Sequence, residues 1–280
     1  MRARLQILAA AVLWSTAGAA IKLTTLDAWQ VSGGRSAVAA AALLLLVPEA
    51  RRWPSKKAWA VAVAYAATVT LFVIANKLTT AANAIFLQDA APLYVLLLSP
   101  WLLRERPTRG ELLAVPVFLV GLALFFFDQL QPGQLLGNAV AVVSGVAFAL
   151  CIMGLRAVKS EGPAVLASGN LLAALVVAPL VLHGPTPVPL DGALLLGLGV
   201  FQLALAYVLF SKGLARTSAI EASLLILLEP VLSPVWTYLF TGERPGPWAL
   251  AGGAVILAAT AWRTVAAPRA QAPAGELAKS

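Results

Sequence analysis

The sequence predicts an all-α integral membrane protein of ten transmembrane helices, arranged as two inverted five-helix repeats. Three observations carry this expectation: 60% hydrophobic against 11% charged residues, ten apolar stretches of spanning length, and chemistry that recurs between two halves. Soluble domains carry about a quarter charged residues. At about 20 residues per span, the 280 residues leave no room for a separate soluble catalytic domain, so any function is built from the spans and their short loops. The lone Cys151 rules out a disulfide framework, and with a single histidine, His183, no His/Cys metal cluster and no cofactor is expected. The net charge of +8 reads as basic cytoplasmic loops rather than nucleic-acid binding.

Charges, Pro/Gly clusters and tryptophans divide the chain into apolar stretches at 5–24, 29–47, 58–76, 79–100 and 110–127, then 135–155, 163–183, 191–210, 217–240 and 247–266. The first follows Arg2 and Arg4 and ends in the small residues 15–19, the outline of a cleavable signal peptide. The similar stretches that follow make a first span the simpler reading. Trp29, Trp53, Trp59, Trp101, Trp248 and Trp262 fall near span ends, where indole rings settle at the headgroup level. With Arg35 inside the second stretch set aside, the Lys and Arg residues divide 16 to 3 between the two sides, which places both termini in the cytoplasm. The fifth stretch of each half has no ionisable residue at membrane depth and reads as outer packing. His183, before Gly184-Pro185, reads as a loop residue.

Self-comparison reveals the repeat. Thr79-Thr80-Ala81 returns as Thr217-Ser218-Ala219, Pro92 as Pro230 and Glu105-Arg106-Pro107 as Glu243-Arg244-Pro245, all at an offset of 138. Trp14 and Lys22 match Phe148 and Arg156 at 134, and Gly33-x3-Ala37 matches Gly169-x3-Ala173 at 136, a small-residue spacing that lets helices approach closely. Five spans per unit make the second copy start on the opposite side of the membrane. Charges agree: Arg51, Arg52, Lys56 and Lys57 precede the third span, whereas residues 183–191 hold no Lys or Arg. The expected domains are 1–128, 135–266 and a polar cytoplasmic tail, 267–280.

With an aromatic and a basic residue in each first span, a mid-membrane proline in each fourth and a Glu-Arg-Pro loop before each fifth, the chain resembles the EamA-type members of the drug/metabolite transporter (DMT) superfamily over residues 5 to 266. The resemblance implies a ten-helix carrier of the bacterial inner membrane, commonly an exporter of amino acids or other small metabolites, with the YddG-type amino-acid exporters as the branch to name first. Unlike the similar small multidrug-resistance proteins, this chain has Trp14 and no carboxylate in its first span.

Polar groups at membrane depth face cavities because burying them in lipid is costly. Trp14, Tyr65, Gln88, Asp89, Ser144, Gln202 and Glu229 fall near mid-span, in spans one, three and four and their counterparts six, eight and nine. Glu221, Glu229, Ser233 and Trp236 share one helical face, as do Gln88, Ala84, Ala91, Val95 and Ser99. Glu221, close to a span end, is expected to pair with Arg216 or Lys212. Arg35 and Lys22 are either carboxylate receivers or side chains that snorkel to an interface. Pro92 and Pro230 are expected to mark gating hinges and to free the carbonyls of Gln88 and Ile226.

The leading expectation is alternating-access export of amino acids, aromatic or hydrophobic or of broad range. Proton-coupled efflux of lipophilic cations through Glu229 or Asp89 is the alternative. An intramembrane enzyme is disfavoured, since a serine–histidine dyad would have to use His183. The partners are a small-molecule substrate and the lipid bilayer, with no nucleic acid, and nothing requires more than a monomer.

Overall fold

A computed structural model describes residues 1–127, 134–241 and 246–266. The second Glu-Arg-Pro loop, the tail 267–280 and Asp128 lie outside the described residues. All regular structure described is helical. The first apolar stretch is two helices, α1 (Arg2–Trp14) and α2 (Ala17–Leu23), meeting at Ser15 and Thr16. Their hydroxyls donate to the carbonyls of Val12 and Leu13, each at 2.7 Å, a local bond that competes with continuing the helix. Asp27 caps α3 (Ala28–Leu46) by accepting the Gln30 N–H at 2.8 Å. Then come α4 (Lys56–Leu78), α5 (Ala81–Gln88), α6 (Ala91–Leu102) and α7 (Arg109–Phe127).

The second half holds α8 (Leu135–Ala157), α9 (Gly162–Val181) and α10 (Pro189–Gly197). A π-helical stretch, Leu198–Leu205, carries α10 directly into α11 (Ala206–Leu214). It ends with α12 (Ala219–Leu225), α13 (Leu228–Thr241) and α14 (Pro247–Ala266). Seven helical stretches among the described residues are long and apolar enough to cross a membrane. The α3 helix is not one of them, because Gln30, Ser32, Arg35 and Ser36 dilute its apolar run.

The repeated Thr-Thr-Ala and Thr-Ser-Ala triplets are helix caps. Thr80 Oγ1 accepts the Asn83 N–H and Ser218 Oγ the Glu221 N–H, both at 3.1 Å, opening α5 and α12. Both capped helices then break at equivalent points, α5 at Asp89–Ala90 and α12 at Ile226–Leu227. Pro92 and Pro230 therefore sit in the first turns of α6 and α13, where a missing N–H leaves no helical bond unmade. This corrects the expectation that Pro230 frees the Ile226 carbonyl, which accepts the Glu229 N–H at 2.8 Å. The Gln88 carbonyl abuts Gly145 of α8, where an added Cβ would lie 3.0 Å from it.

Glycines let the halves interlock. A Cβ at Gly154 of α8 would fall 2.6 Å from Val61 of α4, one at Gly169 of α9 2.6 Å from Tyr65, and one at Gly213 of α11 2.6 Å from the Ala3 carbonyl of α1. The paired Gly-x3-Ala motifs are not used alike: Ala173 is buried but Ala37 is exposed, because α3 meets α9 through Gly33 against Val177 and Val181. The fifth helices, α7 and α14, pack on each other at Gly121 and Ile256.

Polar ties close the ends of the bundle. Lys22 donates to the Thr79 carbonyl and Arg156 to the Ala215 carbonyl, both at 2.9 Å, so the matched basic residues do matched work. Glu105 pairs with Arg156 at 2.8 Å. Glu221 pairs with Arg4 at 2.8 Å, correcting the expected local partner; α1 packs against α12 and brings Arg4 to that end. Asp191 accepts the N–H and hydroxyl of Thr25 at 2.9 and 2.7 Å, tying the loop before α3 to α10. His183 is exposed just beyond α9, as a loop residue.

Candidate functional site

Between the halves lies a small cavity, walled by Trp14 of α1, Arg35 of α3, Thr68, Val69 and Phe72 of α4, and Gln88 of α5. The second half contributes Phe148 of α8, Gln202 and Leu203 of the π-helical stretch, Tyr207 of α11 and Glu229 of α13. Four of the nine sequence-selected pathway residues, Trp14, Gln88, Gln202 and Glu229, are in this wall.

Arg35 is only 1% exposed. Its Nη2 donates to the Val69 carbonyl at 2.6 Å and its Nη1 to Gln202 Oε1 at 3.1 Å, while its Nε has no hydrogen-bond partner among the described residues. The guanidinium carbon stands 6.0 Å from the Phe72 ring centroid, within cation–π range. Gln202 reaches Arg35 because Gly199 lets the π-helical backbone lie against α3: a Cβ there would meet Val38 at 2.5 Å and the Arg35 carbonyl at 2.8 Å. Wider π turns recur at functional sites because they re-aim side chains without ending the helix.

Aromatic rings form the next part of the wall. The Trp14 ring lies 4.6 Å from Tyr207, 5.1 Å from Phe210 and 5.7 Å from Phe148, and its Nε1 has no hydrogen-bond partner among the described residues. Gln88 is held by the Ser144 hydroxyl, to which it donates at 2.7 Å; Ser144 in turn donates to the Thr68 carbonyl at 3.2 Å. Glu229 is buried in the first turn of α13 and lines the cavity. Asp89 is buried at the end of α5, interacts electrostatically with Glu229 and leaves its Oδ2 without a hydrogen-bond partner among the described residues.

The other five selected residues stand outside this wall. Ser144 supports Gln88, and Asp89 lies at the α5 break. Tyr65 is fully buried behind Tyr207, its hydroxyl accepting from Asn170 Nδ2 at 2.8 Å. Ser233 is buried further along α13, and Trp236 Nε1 donates to Ser15 Oγ at 2.8 Å, tying α13 to the break in the first stretch. Sequence reasoning left Arg35 undecided and did not single out Thr68, Phe72 or Tyr207. The one signal available was the match of Trp14 with Phe148, which meet here.

The EamA-like transporter family matches twice in tandem, over residues 1–127 and 131–264. The chain belongs to the EamA-like transporter family. As an EamA-like protein it is a multi-pass membrane protein and a secondary transporter, not an enzyme. It is 34% identical to an uncharacterized transporter of Archaeoglobus fulgidus over 205 residues, 70% of this chain and 72% of that one. It is 30% identical to the threonine/homoserine exporter RhtA of Escherichia coli K12 over 203 residues, 70% and 66% of the two chains. The transporter YwfM of Bacillus subtilis is 28% identical over 90% of both. A crystal structure superposes with a TM-score of 0.81 over 95% of this chain and 99% of the other, at 19% identity, a likeness of fold.

Proposed function

We propose that this EamA-like protein exports amino acids or closely related small metabolites by alternating access through the cavity between its halves. The observation that carries this reading is a single cavity offering Arg35, Glu229 and an aromatic wall at membrane depth. An amino acid presents the complementary set: a carboxylate, an ammonium and a side chain. Small hydroxylated amino acids are the first substrate class to test, the class in the name of RhtA. The aromatic exporter branch is the second substrate class, supported by Trp14, Phe72, Phe148 and Tyr207.

The reading includes ten spans, with α3, α7 and α14 crossing as well, in inverted domains 1–128 and 135–266. It includes cytoplasmic termini and tail, and motion at the broken helices ahead of Pro92 and Pro230. Supporting the repeat, the matched basic residues each tie a carbonyl just ahead of the capped helix of their own half, Lys22 at Thr79 and Arg156 at Ala215. In a Cys151→Ala background, a cysteine at Arg106 is expected to react with an impermeant reagent only from the cytoplasmic side, and one at Gly246 only from the other. Equal reactivity from one side overturns the inversion.

The functional test is flux in proteoliposomes loaded with labelled threonine, leucine or phenylalanine, with and without a pH gradient. Flux of at least one amino acid above protein-free liposomes is expected. Proton-driven efflux of lipophilic cations is the competing reading, motivated by Asp89 beside Glu229. Arg35 in the same wall opposes it, since like charge repels a cation. No amino-acid flux, with proton-dependent flux of tetraphenylphosphonium, decides for the competitor.

A further inference from the structure

We propose that Arg35 receives the carboxylate of the transported molecule, making the cavity a zwitterion site with its cationic pole on α3 and its acidic pole at the start of α13. The assignment deepens the export reading and rests on it. It starts from an accounting of the guanidinium. Arginine has five N–H donors in a planar fork suited to carboxylates. Here two neutral acceptors, the Val69 carbonyl and Gln202 Oε1, hold it, and Nε is left unmatched.

Burying a cation without an anion is costly, so buried charges are normally paired. The ion pairs found among the described residues, Arg4–Glu221 and Arg156–Glu105, lie at the ends of the bundle. Arg35 has none, although two carboxylates, Glu229 and Asp89, are buried in the same region. A purely structural arginine would be expected to hold one of them. Instead its position is fixed by neutral groups that leave its charge available.

A second observation points the same way. Trp14 Nε1 is also buried without a partner among the described residues, so two residues that line one cavity, on α1 and α3, each carry an unmatched N–H donor. A carboxylate, which only accepts hydrogen bonds, satisfies both. Glu229, which when ionised also only accepts, suits the substrate ammonium. The cavity therefore selects amino-carboxylates and discriminates against the corresponding amines and amides.

The test follows the melting temperature of the purified full-length protein in detergent, titrated with L-threonine, L-leucine, L-phenylalanine, L-threoninamide and 1-amino-2-propanol. At least one amino acid is expected to stabilise it; where that is threonine, its amide and decarboxylated amine bind at least about tenfold more weakly, the scale of one charge-assisted hydrogen bond. For leucine or phenylalanine the same comparison uses that residue's own amide and amine. In Arg35→Gln the acid and amide become equal, and Arg35→Lys retains part of the preference. Equal stabilisation by acid and amide in the wild type, or a preference that survives Arg35→Gln, overturns the assignment. Should Arg35→Gln fail to accumulate, the wild-type series and Arg35→Lys decide. Flux in proteoliposomes is read separately. Carboxylate-selective binding without flux overturns export but not the role of Arg35, whereas equal flux of acid and amide overturns the role of Arg35 but not export. No stabilisation by any of the three amino acids overturns both.

Discussion

Glu229→Gln is expected to lower amino-acid flux by roughly 10- to 100-fold, the range for losing one hydrogen bond to a charged group, while the protein accumulates and melts normally. Glutamine has nearly the same shape, so packing at the start of α13 is kept. The amide oxygen can still accept a hydrogen bond where the carboxylate did, so a structural role is preserved while the charge is removed. Its electrostatic neighbour is Asp89, a second buried carboxyl, and the substitution removes any repulsion between the two when both are ionised. A group held for structure would be missed in folding; this one is missed only when a cation has to be bound. Initial flux and melting temperature measured on the same preparation separate the cases. Normal flux in Glu229→Gln, with failed accumulation of Glu229→Ala, would make the residue structural.

Gly199→Val is expected to damage both stability and transport. Its first added carbon would stand 2.5 Å from Val38 and 2.8 Å from the Arg35 carbonyl. The latter is backbone, so α3 and the π-helical stretch must separate. Overpacking of this kind costs about 1–3 kcal/mol or more. Separation also draws Gln202, three residues on, away from Arg35. Gly197→Val is the control, because nothing lies within 4 Å of a Cβ there. A lowered melting temperature and lost flux in the first variant, with neither in the second, is the expected pattern; equal behaviour of the two would show that the close approach at Gly199 is dispensable.

The apolar stretches were legible because spanning length and composition are properties of a whole segment. The stretch 135–155 is Leu135–Ala157, and 163–183 is Gly162–Val181. The breaks were not legible. Prolines looked like the interruptions, yet the chain leaves helix geometry at Asp89–Ala90 and Ile226–Leu227, where packing against Gly145 and Leu224's carbonyl bond to Leu227 set the backbone. The repeated triplets were visible as repetition, but their capping role is a matter of φ and ψ. In the site, Gln88, Gln202 and Glu229 stood out because polar groups are rare at that depth. Phe72 and Tyr207 look like helix packing in any apolar run, and only the cavity separates them from it. Arg35 was ambiguous for another reason: whether a long side chain snorkels depends on its neighbours, and Val69 and Gln202 lie 34 and 167 residues away in sequence.

That last separation bears on how the protein is made. At roughly 5–20 residues per second, the 167 residues between Arg35 and Gln202 take on the order of 10 to 30 s to synthesise. On the proposed ten-span reading, α3 throughout that interval carries a guanidinium toward the bilayer centre, a burden of about 2.5–3.5 kcal/mol on insertion scales. The alanine, valine and leucine run of residues 37–46 supplies the opposing drive into lipid. Val69, on the next long helix to emerge, can arrive first, with one carbonyl. On that reading the nascent first half depends on α4 to shelter its charge, and the ribosome has to deliver about half of the second repeat before that charge gains its side-chain partner.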